Sequence, residues 1–293
     1  MKSVLKSAIG RLGYKIYSKK SVIPADLSGQ IDNPLLAKYA ARNKSFLIDA
    51  DFENCIGLYQ YSCEKYGDNP LVNTITDYLK NGMDGFEGSK LEDFYHHCSP
   101  DSAAEWFNLE GKIHNDLTEL PTYSAVFPWE NATMKGRKRY RERNVSSETQ
   151  KRGKSLSVEH GIELIGPFSK ERGELEVNTL IELTKSIQKK GYRRGNHQSD
   201  DISSSVVINE DSYKFLINDG NHRIAALSAL DYKSVPVRVE PTSIPAFIYR
   251  NEVDYWPKVK EGLYTRKQAL SIFDAIFRGD GFYSELHFRS NSH

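Results

Sequence analysis

The stretch INDGNHRIAALSAL, residues 217–230, sets a polar turn between an apolar strand and an Ala/Leu-rich helix. A plain connector needs no run of three polar side chains after a glycine. The strand delivers the chain to Asp219 at its carboxyl end, and Gly220 allows the positive φ or close backbone approach of a tight strand-to-helix turn. Asn221, His222 and Arg223 then fall in the first helical turn, where backbone N–H groups lack intrahelical partners and the helix dipole favours an anion. Arg223 adds a planar fork for phosphate oxygens. His222 can donate to phosphate or accept a proton near neutral pH. Asp219 can hold Mg²⁺ or accept a hydroxyl proton. In the competing reading Asp219 is a helix N-cap, and His222 and Arg223 tie the helix to neighbouring strands.

Working outward, residues 158–240 read as a compact module of strands and helices. GIELIG (161–166), SSSVVI (203–208), YKFLIN (213–218) and SVPVRVE (234–240) are expected strands. EVNTLIELTKSIQKKG (176–191) is an amphipathic helix with Val177, Leu180, Ile181, Thr184 and Ile187 on one face and Gly191 as its stop. HRIAALSAL (222–230) is the second helix. The section 26–157 is expected to be mainly helical, with LLAKYAARN, CIGLYQYSCEKYG, LVNTITDYLKNG and SAAEWFNLEG ending at Asn43, Gly67, Gly82 and Gly111. Tyr123–Trp129, flanked by prolines, should be extended or a turn. A basic run follows: Lys135, Arg137, Lys138, Arg139, Arg141 and Arg143. It reads either as a grip on phosphates or as a solvated helix face. The tail, 241–293, returns to helix, with Ala269, Leu270, Phe273, Ile276 and Phe277 on one side. Residues 1–25 form a basic arm that either lies on an anionic membrane surface or packs on its own domain.

The totals narrow the function classes. At 293 residues with a formal net charge of +1, the chain can bury a sizeable core and is not a strongly basic nucleic-acid binder. Three cysteines without metal-ligand spacing fit a reduced compartment, and no apolar run reaches membrane-spanning length. With no apolar core behind the basic N-terminus, a soluble cytoplasmic protein is expected, with peripheral contact at the inner membrane through the arm as an option.

DGNHRIAALSALDYKSVPV resembles the signature of the ParB/sulfiredoxin superfamily, and GPFSKERGELEVNTLIELTKSIQKKGY resembles its opening box. The likeness spans Glu163–Glu240. It implies an α+β fold: a small mixed-sheet ParB/sulfiredoxin-like domain with a helical N-terminal section and a helical C-terminal extension. It further implies a nucleotide site, with phosphates cradled by Gly220, Asn221, His222 and Arg223. A sulfiredoxin would carry cysteine where Asn221 stands. A partition protein would carry two adjacent arginines and a helix-turn-helix domain, neither of which follows here. The turn is most similar to that of free-serine kinases of this fold, which implies ATP and Mg²⁺ as cofactors. It also implies a catalytic glutamate before the first helix: Glu171 or, preferred, Glu174. The wider arrangement resembles uncharacterised ParB-like proteins of bacterial surface-polysaccharide gene clusters, which implies a sugar or polysaccharide precursor as substrate.

The expected activity is therefore a nucleotide-dependent kinase acting on a hydroxyl. Glu174, Asp219 and His222 are its expected catalytic residues, and Asp219 is the metal ligand. The loop YRRGNHQSDDISSS offers Arg193, Arg194 and His197 for substrate, with Asp200 and Asp201 beside them, although a solvated loop is the plainer reading. The alternatives are a ParB-like nucleic-acid-binding protein or nuclease using the basic run, and a nucleotide-binding scaffold without turnover.

Overall fold

The computed structural model describes residues 24–282 apart from 58–59, 84, 164, 195–200 and 241–243. In chain order the first strand is β1 (Ala25–Asp26), followed by α1 (Pro34–Ala40), β2 (Phe46–Asp51) and β3 (Cys55–Ile56). Five helices come next: α2 (Pro70–Asn81), α3 (Lys90–His97), α4 (Ala103–Trp106), α5 (Asn115–Glu119) and α6 (Met134–Lys151). The long helix α7 (Lys170–Lys190) leads to β4 (Ile202–Asn209), β5 (Ser212–Asp219), α8 (Asn221–Ala229) and β6 (Ser234–Val239). The chain closes with β7 (Phe247–Tyr249), α9 (Pro257–Lys260) and α10 (Arg266–Arg278).

The fold is α+β around one mixed seven-stranded sheet of order β1-β2-β6-β4-β5-β3, with β7 beside β4. Seven of the eight β4 residues are buried, which suits a central strand written almost wholly in Ile, Ser and Val. Alternation along the strands feeds two cores. Val206, Phe215 and Ile217 face α2, α7 and α8, whereas Val207 and Leu216 face Trp129, Trp256 and Phe273. The stop signals hold where glycine is needed: Gly82 and Gly279 end α2 and α10 with φ of 72° and 77°.

The expected helical section departs from its reading in two places. Phe46–Asp51 is a strand that pairs in full with β6, because its alternating apolar residues find an edge only after the chain has run on nearly two hundred residues. CIGLYQYSCEKYG is not a helix. Cys55 and Ile56 join β5, and the Gly57 and Cys63 amides bond to Tyr61 and Cys55 carbonyls in a hairpin. The sheet therefore takes strands from both sides of residue 157. Conversely, GIELIG forms no strand, only an isolated bridge between Ile162 and Ile165. The C-terminal section adds β7 to its helices. Among the described residues no helix is long and apolar enough to cross a membrane. The basic arm, apart from residues 24–25, lies outside the described residues.

Candidate functional site

The turn at the carboxyl end of β5 has the expected backbone. Gly220 has φ of 89°, and an added Cβ would stand 2.9 Å from Ile202 Cγ1 and 3.1 Å from its Cα, so only glycine fits. Asp219 Oδ1 accepts the Gly220 N–H at 2.7 Å, and α8 carries no side-chain cap. Asp219 is thus not the N-cap of α8.

His222 turns toward α7, where its Nε2 bonds to Glu176 Oε1. Glu176 is fully buried, and its Oε2 lies 3.7 Å from Arg152 Nη1 and 3.8 Å from Arg172 Nη2. Arg172 Nη2 is also 3.7 Å from Glu163 Oε1. Burial works against charge at both ends of the central pair, yet the pair's mutual charge and hydrogen bond prevail. Burial alone would raise Glu176, but His222, then Arg172 and Arg152, hold it down to about 2. Burial alone would lower His222, but Glu176 and then Glu163 hold it above its ordinary value. Burial, then the charge on Glu176, pushes Glu163 up. Glu163, Glu176 and His222 present ligand atoms within 4.8 Å of one another. A carboxylate–imidazole set suits a divalent metal, but the two arginines already supply the compensating charge.

A cleft of about 380 Å³ opens at the same end of β5, with Asn218 and Asp219 on its wall. Two guanidinium groups on α6, Arg137 and Arg141, line it together with Arg238 from β6. Trp106, Phe107 and Phe127 form an apolar wall. Arg137 is paired with buried Glu130, and Arg238 Nη1 lies 3.0 Å from Glu240. Among the described residues, the buried Nε donors of Arg141 and Arg238 have no hydrogen-bond partner. Burial pulls the Arg141 guanidinium below its ordinary pKa, and Glu163 opposes that pull. Arg141 thus connects the cleft to the Glu163–Glu176–His222 network.

No family model, curated protein or solved structure matches this chain. The site is accordingly read from its own geometry.

That geometry redistributes the expected roles. Of the turn, only Asn218 and Asp219 reach the cleft wall. Gly220 is buried, with Arg223 Nη2 3.2 Å from where its Cβ would be. Instead of facing the turn, Glu174 accepts the Phe86 N–H at 3.2 Å, and Glu171 pairs with Lys154 at 3.1 Å. The reason is helical phase: residue 174 points about 200° away from residue 176, whereas Arg172 and Glu176 share a face. Arg194 bonds Asp201 at 3.0 Å and Asp26 at 3.1 Å, which fastens the loop to β1 rather than offering it to a ligand. Arg193 is exposed, and His197 and Asp200 lie outside the described residues. Sequence reasoning missed Glu163, Glu176 and Arg238. One signal was present: Glu176 continues the buried stripe of Leu180, Thr184 and Ile187, and a glutamate on a buried stripe requires a charged partner.

Proposed function

We propose that the chain is a nucleotide-dependent phosphotransferase acting on a hydroxyl of a small molecule or glycan precursor. The cleft, rather than the first turn of α8, takes the phosphates. One observation carries this reading: three guanidinium groups, a carboxylate and an aromatic wall line a single cleft at the end of β5. A nucleotide has the same division, an apolar base and an anionic tail. The resemblance of the Asp-Gly-Asn-His-Arg turn to that of the ParB/sulfiredoxin-fold serine kinases supports the same reaction class.

The residues fit the implied cofactors. Arg141 and Arg238 have donors for phosphate oxygens, the Phe107 and Phe127 rings can cover a base, and Asp219 is a carboxylate at the strand end. When bound, Mg²⁺ supplies positive charge shared between neighbouring phosphates, and Asp219 is the side chain that would hold it. Catalysis then asks the protein mainly to position and to stabilise charge. Arg141 and Arg238 neutralise the phosphoryl oxygens, Asp219 accepts the acceptor hydroxyl's proton, and the His222–Glu176 pair fixes the start of α8 and so the place of Asp219. His222 is a positioning residue in this scheme.

The test is ADP release from ATP and Mg²⁺ in the presence of a panel of hydroxyl-bearing acceptors. Acceptor-dependent ADP supports the reading. Nucleotide binding with no ADP from any acceptor would leave a scaffold instead.

A further inference from the structure

The helix α6 raises a question that the cleft does not answer. Of its 18 residues only Met134, Val145 and Thr149 are buried, so packing explains little of its composition. The basic run divides by helical phase. Arg137 and Arg141 turn into the cleft, whereas Lys135, Arg139 and Arg143 stand exposed at i, i+4 and i+8 along the outer face. Among the described residues none of these three has an ion-pair partner. The nearby Glu142 is taken up by Lys138 at 4.0 Å and Tyr123 at 3.3 Å. Lys170 and Arg266, also exposed, are each answered by a carboxylate. The row is therefore a line of uncompensated positive charge in a chain whose net charge is only +1.

Its geometry specifies a partner. A rise of about 1.5 Å per residue spaces the three cations about 6 Å apart along the axis. A strand that keeps the stacked spacing of a duplex advances about 3.4 Å per phosphate, so successive cations meet every second phosphate with a drift of about 1 Å per step. Tyr140, 47% exposed, lines the cleft mouth with the Arg137 guanidinium 6.0 Å from its ring centroid, and this aromatic–guanidinium pair offers a surface on which an unpaired base can stack. Tyr140 is the lone exposed large apolar side chain on α6 among the described residues, too little for insertion into a lipid surface.

We infer that the outer face of α6 docks the phosphate backbone of a single-stranded nucleic acid. This goes beyond the phosphotransferase reading, and the row's cations lie outside the cleft lining. The experiment is fluorescence anisotropy of a labelled single-stranded oligonucleotide of about 15 nucleotides, titrated with the full chain between about 50 and 200 mM salt. Three phosphate contacts give a slope of log affinity against log salt of about −2, or roughly a 20-fold loss over that range. The Lys135→Ala, Arg139→Ala, Arg143→Ala triple variant should abolish most of that slope while leaving acceptor-dependent ADP release unchanged. Tyr140→Ala should weaken binding about fivefold or more at an unaltered slope. Absence of binding at the lowest salt, or a slope the triple variant does not change, overturns the inference. Equal competition by inorganic polyphosphate together with an ineffective Tyr140→Ala overturns it in favour of a general polyanion surface. Capture by anionic phospholipid vesicles but not by the oligonucleotide overturns it in favour of a membrane.

Discussion

Replacing Glu176 by glutamine keeps the shape of the side chain and removes its charge from beneath His222, Arg152 and Arg172. A fully buried carboxylate held at about 2, against an ordinary value near 4.5, represents about 3 kcal/mol at about 1.4 kcal/mol per pH unit. That agrees with the 3–5 kcal/mol typically lost when one member of a buried ion pair is removed. The sign follows from the direction of each shift. Glu176 is lowered on folding, so its contribution is complete above about pH 4.5 and fades as pH falls toward 2. His222 is raised on folding, so the same pair is complete below its ordinary value of 6.5 and is lost as pH climbs through the raised value. Urea denaturation at several pH values measures this directly. At pH 5.5 Glu176→Gln should be about 3 kcal/mol less stable than the parent, and the gap should narrow toward zero as pH approaches 2. A deficit below about 0.5 kcal/mol at pH 5.5, or one that stays constant with acidification, refutes the network as an ionic lock between α7 and α8.

Three further outcomes follow from the site. Asp219→Asn should lower turnover by 10²–10⁴, the usual worth of a positioned proton acceptor, read as acceptor-dependent ADP release. Arg141→Ala removes a guanidinium from the cleft lining. It should weaken nucleotide binding by roughly 10- to 100-fold, at 1.5–3 kcal/mol for a hydrogen bond to a charged group. Gly220→Ala forces a Cβ to within 2.9 Å of Ile202 at a φ of 89°, and denaturant midpoints should report a loss exceeding about 1 kcal/mol.

The elements legible in the sequence are those whose signals are local. Gly220 and the Ala/Leu face mark β5–α8, the apolar stripe and Gly191 mark the end of α7, and the Ile/Val run marks β4; the strands and α8 lie within a residue of their observed bounds, whereas α7 begins at Lys170, ahead of its expected start at Glu176. What was hidden depends on distance along the chain. FLIDAD becomes a strand because β6 arrives far downstream, and CIGLYQYSCEKYG bends because Gln60 adopts φ of 64° between two short bridges. The site divides in the same way. The turn announces Asp219 and Gly220, whereas Glu176 meets His222 across 46 residues. The basic run was visible, but only the orientation of α6 separates the arginines of the cleft from the cations outside it.

The borders of the sheet have a practical consequence. Its path ends in β1 and β3, two residues each, and the side strand β7 adds three. Stubs of that length offer little rail of their own, and they cover only Phe46 and Leu47 of β2 and Phe215 and Leu216 of β5. The rest of those two strands carries charge, Asp49 and Asp51 on β2 and Lys214 and Asp219 on β5, which opposes the addition of another strand. The protein should therefore stay dispersed at concentrations where a long open border would nucleate fibrils.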